Sequence, residues 1–324
     1  MTTAVGLISG GLDSILAARI ILEQGIEVQG VSFVTPFFNS KGAERAAQAV
    51  GIPLQVLDIT EPHLAMLRNP PHGYGNNMNP CIDCHMLMLK EAGRVMEKGG
   101  ADFLFTGEVL GQRPMSQNKA SLRVVERGSG YEGLILRPLS AQLLPETIPE
   151  QEGKVDRGKL LAIKGRSRKR QIALAEQYHI TEYLTPAGGC LLTDPIFSRR
   201  LRDLFNNQDP FQIKDIELLK IGRHLRLSPA VKVIVGRHAQ DNERIVGMVA
   251  PGDDLLTVEG HPGPLCLIPY GGTVEDITRA ASICVRYSDA PSDEEVTVLW
   301  SRGEEERRIT VRSCPVSLPA ELMI

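Results

Sequence analysis

Ser9-Gly10-Gly11-Leu12-Asp13-Ser14 stands between an apolar run, Ala4-Val5-Gly6-Leu7-Ile8, and a run in which Leu16, Ala17, Ile20 and Ile21 recur at helical spacing as far as Gly25. The first run reads as a buried strand and the second as a helix closed by a glycine. A glycine pair at a strand-to-helix turn lets the backbone come close to an anion. The N–H groups of the helix's first turn then point at that anion, and the helix dipole favours its charge. Ser9 and Ser14 add hydroxyl donors on either side. The stretch therefore predicts a phosphate-binding loop. It is not a Walker loop, because no Gly-Lys-Ser/Thr follows. The plain alternative is a small-residue turn.

Strand and helix signals go on alternating through the N-terminal half. Residues 27–33, 54–59, 102–106 and 134–139 read as strands, and 41–50 and 86–98 as helices, the latter ending at Gly99-Gly100. This alternation predicts an α/β fold, a doubly wound parallel sheet with helices on both faces. Ligands of such sheets bind at the carboxyl ends of the strands. The 9–14 loop, the segment after Phe33 and Thr106-Gly107-Glu108 should converge there. Near residue 210 the texture changes. Asn206-Asn207-Gln208-Asp209-Pro210 is a turn-rich break. Beyond it, β-branched runs at 231–235, 243–249 and 296–300 are separated by turn clusters such as Pro251-Gly252-Asp253-Asp254. The expected organisation is a phosphate-loop domain over 1–208 and a smaller α+β domain over 212–324.

Bulk properties narrow the class. The chain has 324 residues, a hydrophobic fraction of 42% and a formal net charge of −3, with a mean hydropathy of −0.09. No apolar stretch reaches the roughly 18 residues that span a bilayer, and no basic segment precedes the first apolar run, so a signal peptide is not expected. The expected setting is cytoplasmic and reducing, without a membrane partner. Its six cysteines are then poor candidates for disulfides.

The hexapeptide resembles the S-G-G-x-D-S loop of the ATP pyrophosphatases, the PP-loop enzymes, which cleave ATP to AMP and pyrophosphate. The resemblance implies an adenine nucleotide alpha hydrolase-like domain that takes ATP and Mg²⁺. Ser9, Gly10, Gly11, Asp13 and Ser14 would hold the phosphates, with Asp13 orienting the loop or placing Mg²⁺. Phe33 and Val34 would contact adenine, and Thr106 and Gly107 would complete the nucleotide site.

Three cysteines carry a second signal. Cys81-Ile82-Asp83-Cys84 follows the turn-rich 69–80 and opens a helix, and Cys190 comes much later, after Gly188-Gly189. One C-x-x-C is compatible with a zinc half-site, a redox pair or chance. A closed zinc site needs four ligands, and His85 could complete a Cys₃His set. Three cysteines without a fourth suit an iron–sulfur cluster with one open iron. A PP-loop followed by C-x-x-C and one distant cysteine resembles the cluster-dependent tRNA thiolases of this superfamily. That resemblance implies a [4Fe-4S] or [3Fe-4S] cluster on Cys81, Cys84 and Cys190. The same residues also resemble the cysteines of persulfide-using thiolases, where one carries sulfur and another resolves it. The sulfur donor would be sulfide, a cysteine desulfurase or a persulfide carrier. Cys266, Cys284 and Cys314 stand singly in apolar contexts and are expected in the core.

A third segment, Thr106-Gly107-Glu108-Val109-Leu110-Gly111-Gln112-Arg113-Pro114-Met115-Ser116-Gln117, resembles the T-G-E-x-L-G-Q-x-x-S-Q stretch of the tRNA 4-thiouridine synthetases. Leu136-Arg137-Pro138-Leu139 fits their pattern, and the tRNA 2-thiouridylases are similar too. The resemblance spans residues 4–200 and implies that Glu108 and Gln112 position substrate.

Charge placement predicts an RNA partner. Lys164-Gly165-Arg166-Ser167-Arg168-Lys169-Arg170 holds five cations in seven residues, and Arg199, Arg200 and Arg202 follow the third cysteine. A charge run is by default a solvated face. Beside the proposed chemistry it would instead bind phosphates with salt-sensitive affinity. Ile221-Gly222-Arg223-His224-Leu225-Arg226-Leu227-Ser228 and Val233-Ile234-Val235-Gly236-Arg237 resemble the NFACT-type RNA-binding domain. Arg223 and Arg237 would then contact RNA, in place of the extension that the 4-thiouridine synthetases carry ahead of their loop.

These readings combine into ATP-dependent tRNA uridine thiolation, with Asp13, Cys81, Cys84 and Cys190 as the chemical residues. A uracil carbonyl would be adenylated with release of pyrophosphate, and sulfur would then be inserted. An amide-forming PP-loop ligase acting on a small molecule would leave the cysteines and the basic run unused. A non-catalytic RNA-binding protein would leave the loop unused.

Overall fold

The computed structural model describes residues 1–183 and 190–324, so Gly188-Gly189, expected ahead of the third cysteine, lie outside the described residues. Two compact units make up the chain, Met1–Asp194 and Pro195–Ile324. In the first, β1 (Thr3–Leu7) leads to α1 (Leu12–Leu22), β2 (Glu27–Val34), α2 (Lys41–Val50), β3 (Leu54–Asp58) and α3 (Thr60–Arg68). Then come α4 (Cys81–Gly99), β4 (Phe103–Phe105), α5 (Lys119–Ser129), β5 (Ile135–Leu136), the short α6 (Ile148–Gln151) and α7 (Lys169–Gln177).

The five strands are all parallel, in the order β3-β2-β1-β4-β5. Successive side chains of a strand point to opposite faces, and this sorts the core into two layers. Ala4, Phe103 and Phe105 pack with residues of α1, α2 and α7. Val5 and Leu104 pack with Leu89, Ala92 and Met96 of α4 and Val125 of α5. Helices therefore cover both faces, and strands buried on both sides read as unbroken apolar runs such as Phe103-Leu104-Phe105. The order reverses between β1 and β4, which opens a crevice at their carboxyl ends.

The second unit contains α8 (Pro195–Asn207), α9 (Ile213–Leu218), β6 (Arg223–Arg226), β7 (Lys232–Val235), α10 (Ala239–Val246) and β8 (Asp254–Val258). It continues through β9 (Cys266–Ile268), α11 (Val274–Arg286), β10 (Glu295–Arg302), β11 (Glu305–Arg312) and α12 (Leu318–Leu322). Its six strands form an antiparallel sheet in the order β11-β10-β8-β9-β7-β6. Ile277, Ala280, Ala281 and Cys284 of α11 pack on Leu225, Val233, Leu256 and Val298 from that sheet, and Cys266 and Cys314 are buried in the same cluster.

Two expectations change here. Residues 243–249, read as a β-branched run, lie on and just after α10. Within them Ile245 is fully buried and Val246 exposed, and His238 caps the helix by accepting from the Asp241 N–H. The units also divide ahead of α8, not at the turn-rich 206–210. Arg200 of α8 donates to Leu219 O at 2.8 Å and to Gly222 O at 2.9 Å, and Asp203 pairs with Arg226, all within the second unit.

Candidate active site

The loops after β1 and β4 lie on each other in the crevice. Gly10 takes a φ of +81°, and a Cβ there would meet the Gly42 carbonyl carbon at 2.3 Å. A Cβ on Gly107 would sit 2.5 Å from the Ser14 nitrogen. Only glycine permits both approaches. The Ser14 hydroxyl braces the 9–14 loop from within. It donates to Gly11 O at 2.8 Å and accepts from the Ser9 N–H at 3.3 Å. α1 then starts after Gly11 with no side-chain cap, which leaves the capping position open to an anion.

Asp13 is the first residue that the loop turns toward its neighbours. Gln112 Nε2 donates to Asp13 Oδ2 at 2.7 Å, and Gln171 Nε2 of α7 donates to Gln112 Oε1 at 3.1 Å. Asp13 Oδ1 is buried without a partner among the described residues. An open carboxylate oxygen beside a phosphate-type loop fits Mg²⁺, a hard cation that prefers oxygen ligands. Phe33 is only 5% exposed, its ring in the core with Val5 and Val31, so its backbone and the half-buried Val34 are what face the crevice edge of β2.

Glu108 and Thr106 form a frame under this site. Glu108 is buried, and Arg137 Nε at 3.0 Å, His85 Nδ1 at 2.9 Å and Thr106 Oγ1 at 3.1 Å all reach its carboxylate. Burial pushes the Glu108 carboxyl up, but the Arg137 guanidinium and His85 outweigh it and hold it down at about 2. Both side chains expected to meet ligand are thus engaged inside the protein. A depressed carboxyl stabilises the fold above its unfolded value of 4.5, and that stability is lost as pH falls through about 2. Glu108→Gln is expected to cost about 3 kcal/mol at neutral pH and to flatten the acid limb of stability between those values. Urea unfolding of both proteins from pH 7 down to pH 2 measures it, and an unchanged acid limb overturns the assignment.

The thiols gather at the same edge of the sheet. Cys81 opens α4, and the Cys84 N–H donates to Pro80 O at 2.9 Å. Asn77 Nδ2 donates to Thr193 O at 2.7 Å and the Met78 N–H to Leu192 O at 3.2 Å, which fixes the chain after Cys190 against the turn before α4. All three thiols are free and half-buried. Burial pushes each one up, and Cys190 and Cys81 push Cys84 further. The Arg113 guanidinium pulls Cys81 and Cys190 back toward ionisation. Among the described residues no group of three or more His, Cys, Asp or Glu side chains is placed to hold a metal ion. The three thiols lie near enough to raise one another's pKa, Cys84 feeling both Cys81 and Cys190. His85, a possible fourth ligand from sequence, has its Nδ1 on Glu108. The imidazole that touches the thiols is His63, with Nε2 3.7 Å from Cys84 Sγ. Fully buried beside Phe37 and Phe38, it is pushed down by that burial to about 4. Nothing in the local sequence distinguishes it from an ordinary helix residue.

The basic run is strapped to the same loop. Lys164 bridges Leu110 as a parallel pair, and the Gly165 N–H donates to Leu110 O at 2.7 Å. Lys164, Arg166, Lys169 and Arg170 are exposed, and Arg168 is half-buried. In the second unit Arg223 lies 4.8 Å over the Tyr287 ring, and Arg237 Nε is 2.7 Å from Asp241 Oδ2.

Comparison with known proteins follows the same division. Residues 1–143 match the family model described as thiamine biosynthesis protein (ThiI), and residues 222–317 match that of the NFACT protein RNA binding domain. A tRNA-specific 2-thiouridylase MnmA of Syntrophotalea carbinolica is 34% identical over 117 residues, covering 31% of this chain and 32% of the relative. A probable tRNA sulfurtransferase of Thermotoga maritima is 31% identical over 120 residues, covering 34% and 30%. The chain thus spans about a third of the length of these curated relatives. Among solved structures, a 4-thiouridine synthetase–RNA complex with bound ATP aligns over 68% of this chain and 52% of its own, at 20% identity and a TM-score of 0.37. The chain resembles the PP-loop tRNA-thiolation enzymes along its first unit and the NFACT-type RNA-binding domain along its second. Among the described residues no helix is long and apolar enough to cross a membrane.

Proposed function

We propose that the protein uses ATP to thiolate a uridine of tRNA. One observation supports the reading most: the loop after β4 is hydrogen-bonded to the phosphate-type loop, and its next residue carries a charge that favours the thiolate forms of two of the three cysteines. Gln112 holds Asp13 of the phosphate-type loop, and Arg113 acts on Cys81 and Cys190.

A uracil carbonyl oxygen is a poor leaving group. Its attack on the α-phosphate of ATP makes an O–P bond, breaks the bond to the β-phosphate and expels pyrophosphate. The 9–14 loop and the uncapped start of α1 stabilise the charge that develops on the departing group, a preorganised electrostatic contribution. Mg²⁺, when bound at Asp13, supplies further positive charge to the phosphates. Sulfide brought to Cys81, Cys84 and Cys190 then attacks the activated ring carbon as HS⁻, and AMP leaves with the former carbonyl oxygen. A carrier-derived persulfide on one of these cysteines would attack through its outer sulfur instead. A second of the thiols would then attack the inner sulfur, break the S–S bond and free the thiouridine, and an external thiol would reduce the resulting cysteine disulfide. The sulfur donor is sulfide or a persulfide carrier. RNA is held by Lys164, Arg166, Arg168, Lys169 and Arg170, and on the second unit by Arg223 and Arg237.

Incubation of the purified protein with ATP, sulfide and a uridine-containing tRNA transcript tests this. Equal amounts of AMP, pyrophosphate and thiouridine, the last read by nucleoside mass spectrometry, are the expected result. ATP turnover without thiouridine would favour an amide-forming ligase, and RNA binding without turnover a non-catalytic protein. The basic run makes a separate prediction. Changing Arg166, Arg168, Lys169 and Arg170 to glutamine should weaken tRNA binding and lower the slope of log affinity against log salt by about 3. An equal slope in both proteins would return the run to a solvated face.

A further inference from the structure

The three residues Asp13, Gln112 and Gln171 form a chain with one permitted direction. An ionised carboxylate only accepts hydrogen bonds, so Gln112 must turn its NH₂ to Asp13 and its carbonyl to Gln171. Gln171 must then offer its own NH₂ to that carbonyl. This leaves Gln171 Oε1 buried without a partner among the described residues, on a side chain that is 0% exposed.

Gln171 also belongs to the first turn of the helix into which the basic run leads. α7 begins Lys169-Arg170-Gln171, with no acidic residue in that turn and no side-chain cap from Arg168. Cations sit at the wrong end of a helix dipole, and free N–H groups await acceptors there. A phosphate at this end satisfies both. The strap at Leu110 and Gly165 joins the same segment to the loop that holds Gln112.

We propose that Gln171 couples RNA binding at the 164–170 segment to nucleotide binding at the 9–14 loop, acting through Gln112 on Asp13. The inference rests on the ATP and tRNA reading above. A phosphate group bound by the N–H groups of the first turn of α7 fixes the Gln171 backbone and so the direction in which its NH₂ meets Gln112, and hence Asp13. Gln171 touches neither ligand and is a positioning residue. Thermodynamic linkage makes the effect reciprocal: nucleotide tightens RNA by the factor with which RNA tightens nucleotide.

The test measures the affinity of the full chain for Mg²⁺ and α,β-methylene-ATP by calorimetry, with and without a saturating tRNA transcript. RNA should tighten nucleotide binding by about 5-fold or more in the natural protein. Gln171→Met and Gln112→Met should each reduce that factor to about 1, and the double variant should change it no further, because both act in one chain. Should Gln171→Met fail to fold, Gln171→Glu keeps the shape but presents only acceptors to Gln112, and the same loss is expected. Nucleotide and RNA binding independently in the natural protein would overturn the coupling alone, as would an unchanged factor in the Gln171 variants. A natural protein that binds no nucleotide would overturn the ATP reading, and this inference with it.

Discussion

Asp13→Ala is expected to lower pyrophosphate release from ATP by a factor on the order of 10²–10³, the scale of losing one preorganised group at a site of developing charge. The fold should survive. Asp13 is half-buried, and its one side-chain hydrogen bond among the described residues, to Gln112, joins two residues of the site and lies outside the core. Leaving the Gln112 NH₂ unpaired costs about 1 kcal/mol, a shift of roughly 2–4 °C in melting temperature for a unit the size of Met1–Asp194. Gly10→Ala should fail in the opposite order. Its Cβ would press on the Gly42 backbone at 2.3 Å from a left-handed φ of +81°, so stability should fall first and activity with it. Pyrophosphate assays beside thermal melts separate the two outcomes. Full ATP turnover in folded Asp13→Ala would remove the loop from the chemistry.

The cysteine variants should show the complementary loss. Serine at position 81, 84 or 190 cannot carry sulfur, so thiouridine formation should fall by a factor on the order of 10³ or more, as when a nucleophile is removed. Pyrophosphate release should persist, because the 9–14 loop and its Asp13–Gln112 contact do not depend on the thiols. Serine at 266, 284 or 314 should spare both activities, since those thiols are buried in the second unit's core. Iron content reads the nature of the carrier separately. A brown anaerobic preparation that loses its colour in all three variants would assign Cys81, Cys84 and Cys190 to a cluster. Full thiolation by iron-free protein would assign them to a persulfide pair. Thiolation by Cys84→Ser at the natural rate would remove that residue from sulfur transfer.

Much of the first unit was legible because its signals are local. Two-sided apolar runs, an alanine-rich helix and glycines at helix ends each announce themselves within a dozen residues. The 9–14 loop was legible for the same reason, since glycine needs no partner to declare a close backbone approach. What stayed hidden depends on partners distant in sequence. Glu108, read from sequence as positioning substrate, is instead buried against Arg137 and His85. His63 belongs to no sequence motif, and only α3 sets it against Cys84. Residues 243–249 are β-branched, yet the burial of Ile245 beside an exposed Val246 follows a helical face, so packing overrode intrinsic preference. The division ahead of α8 depends on Arg200 and Asp203 finding partners some twenty residues further on.

Surface loops are ordinarily where a fold absorbs insertions and deletions at little cost. The loop after β4 departs from that rule. Gln112 and Arg113 address two different chemical groups from neighbouring Cα atoms, a fixed step of about 3.8 Å. One residue added or removed between them would turn one of the two side chains away from its target, while the sheet below would scarcely register the change. An insertion between Gln112 and Arg113 should therefore cost activity before it costs stability, whereas one on the loop's flanks should leave both contacts in place.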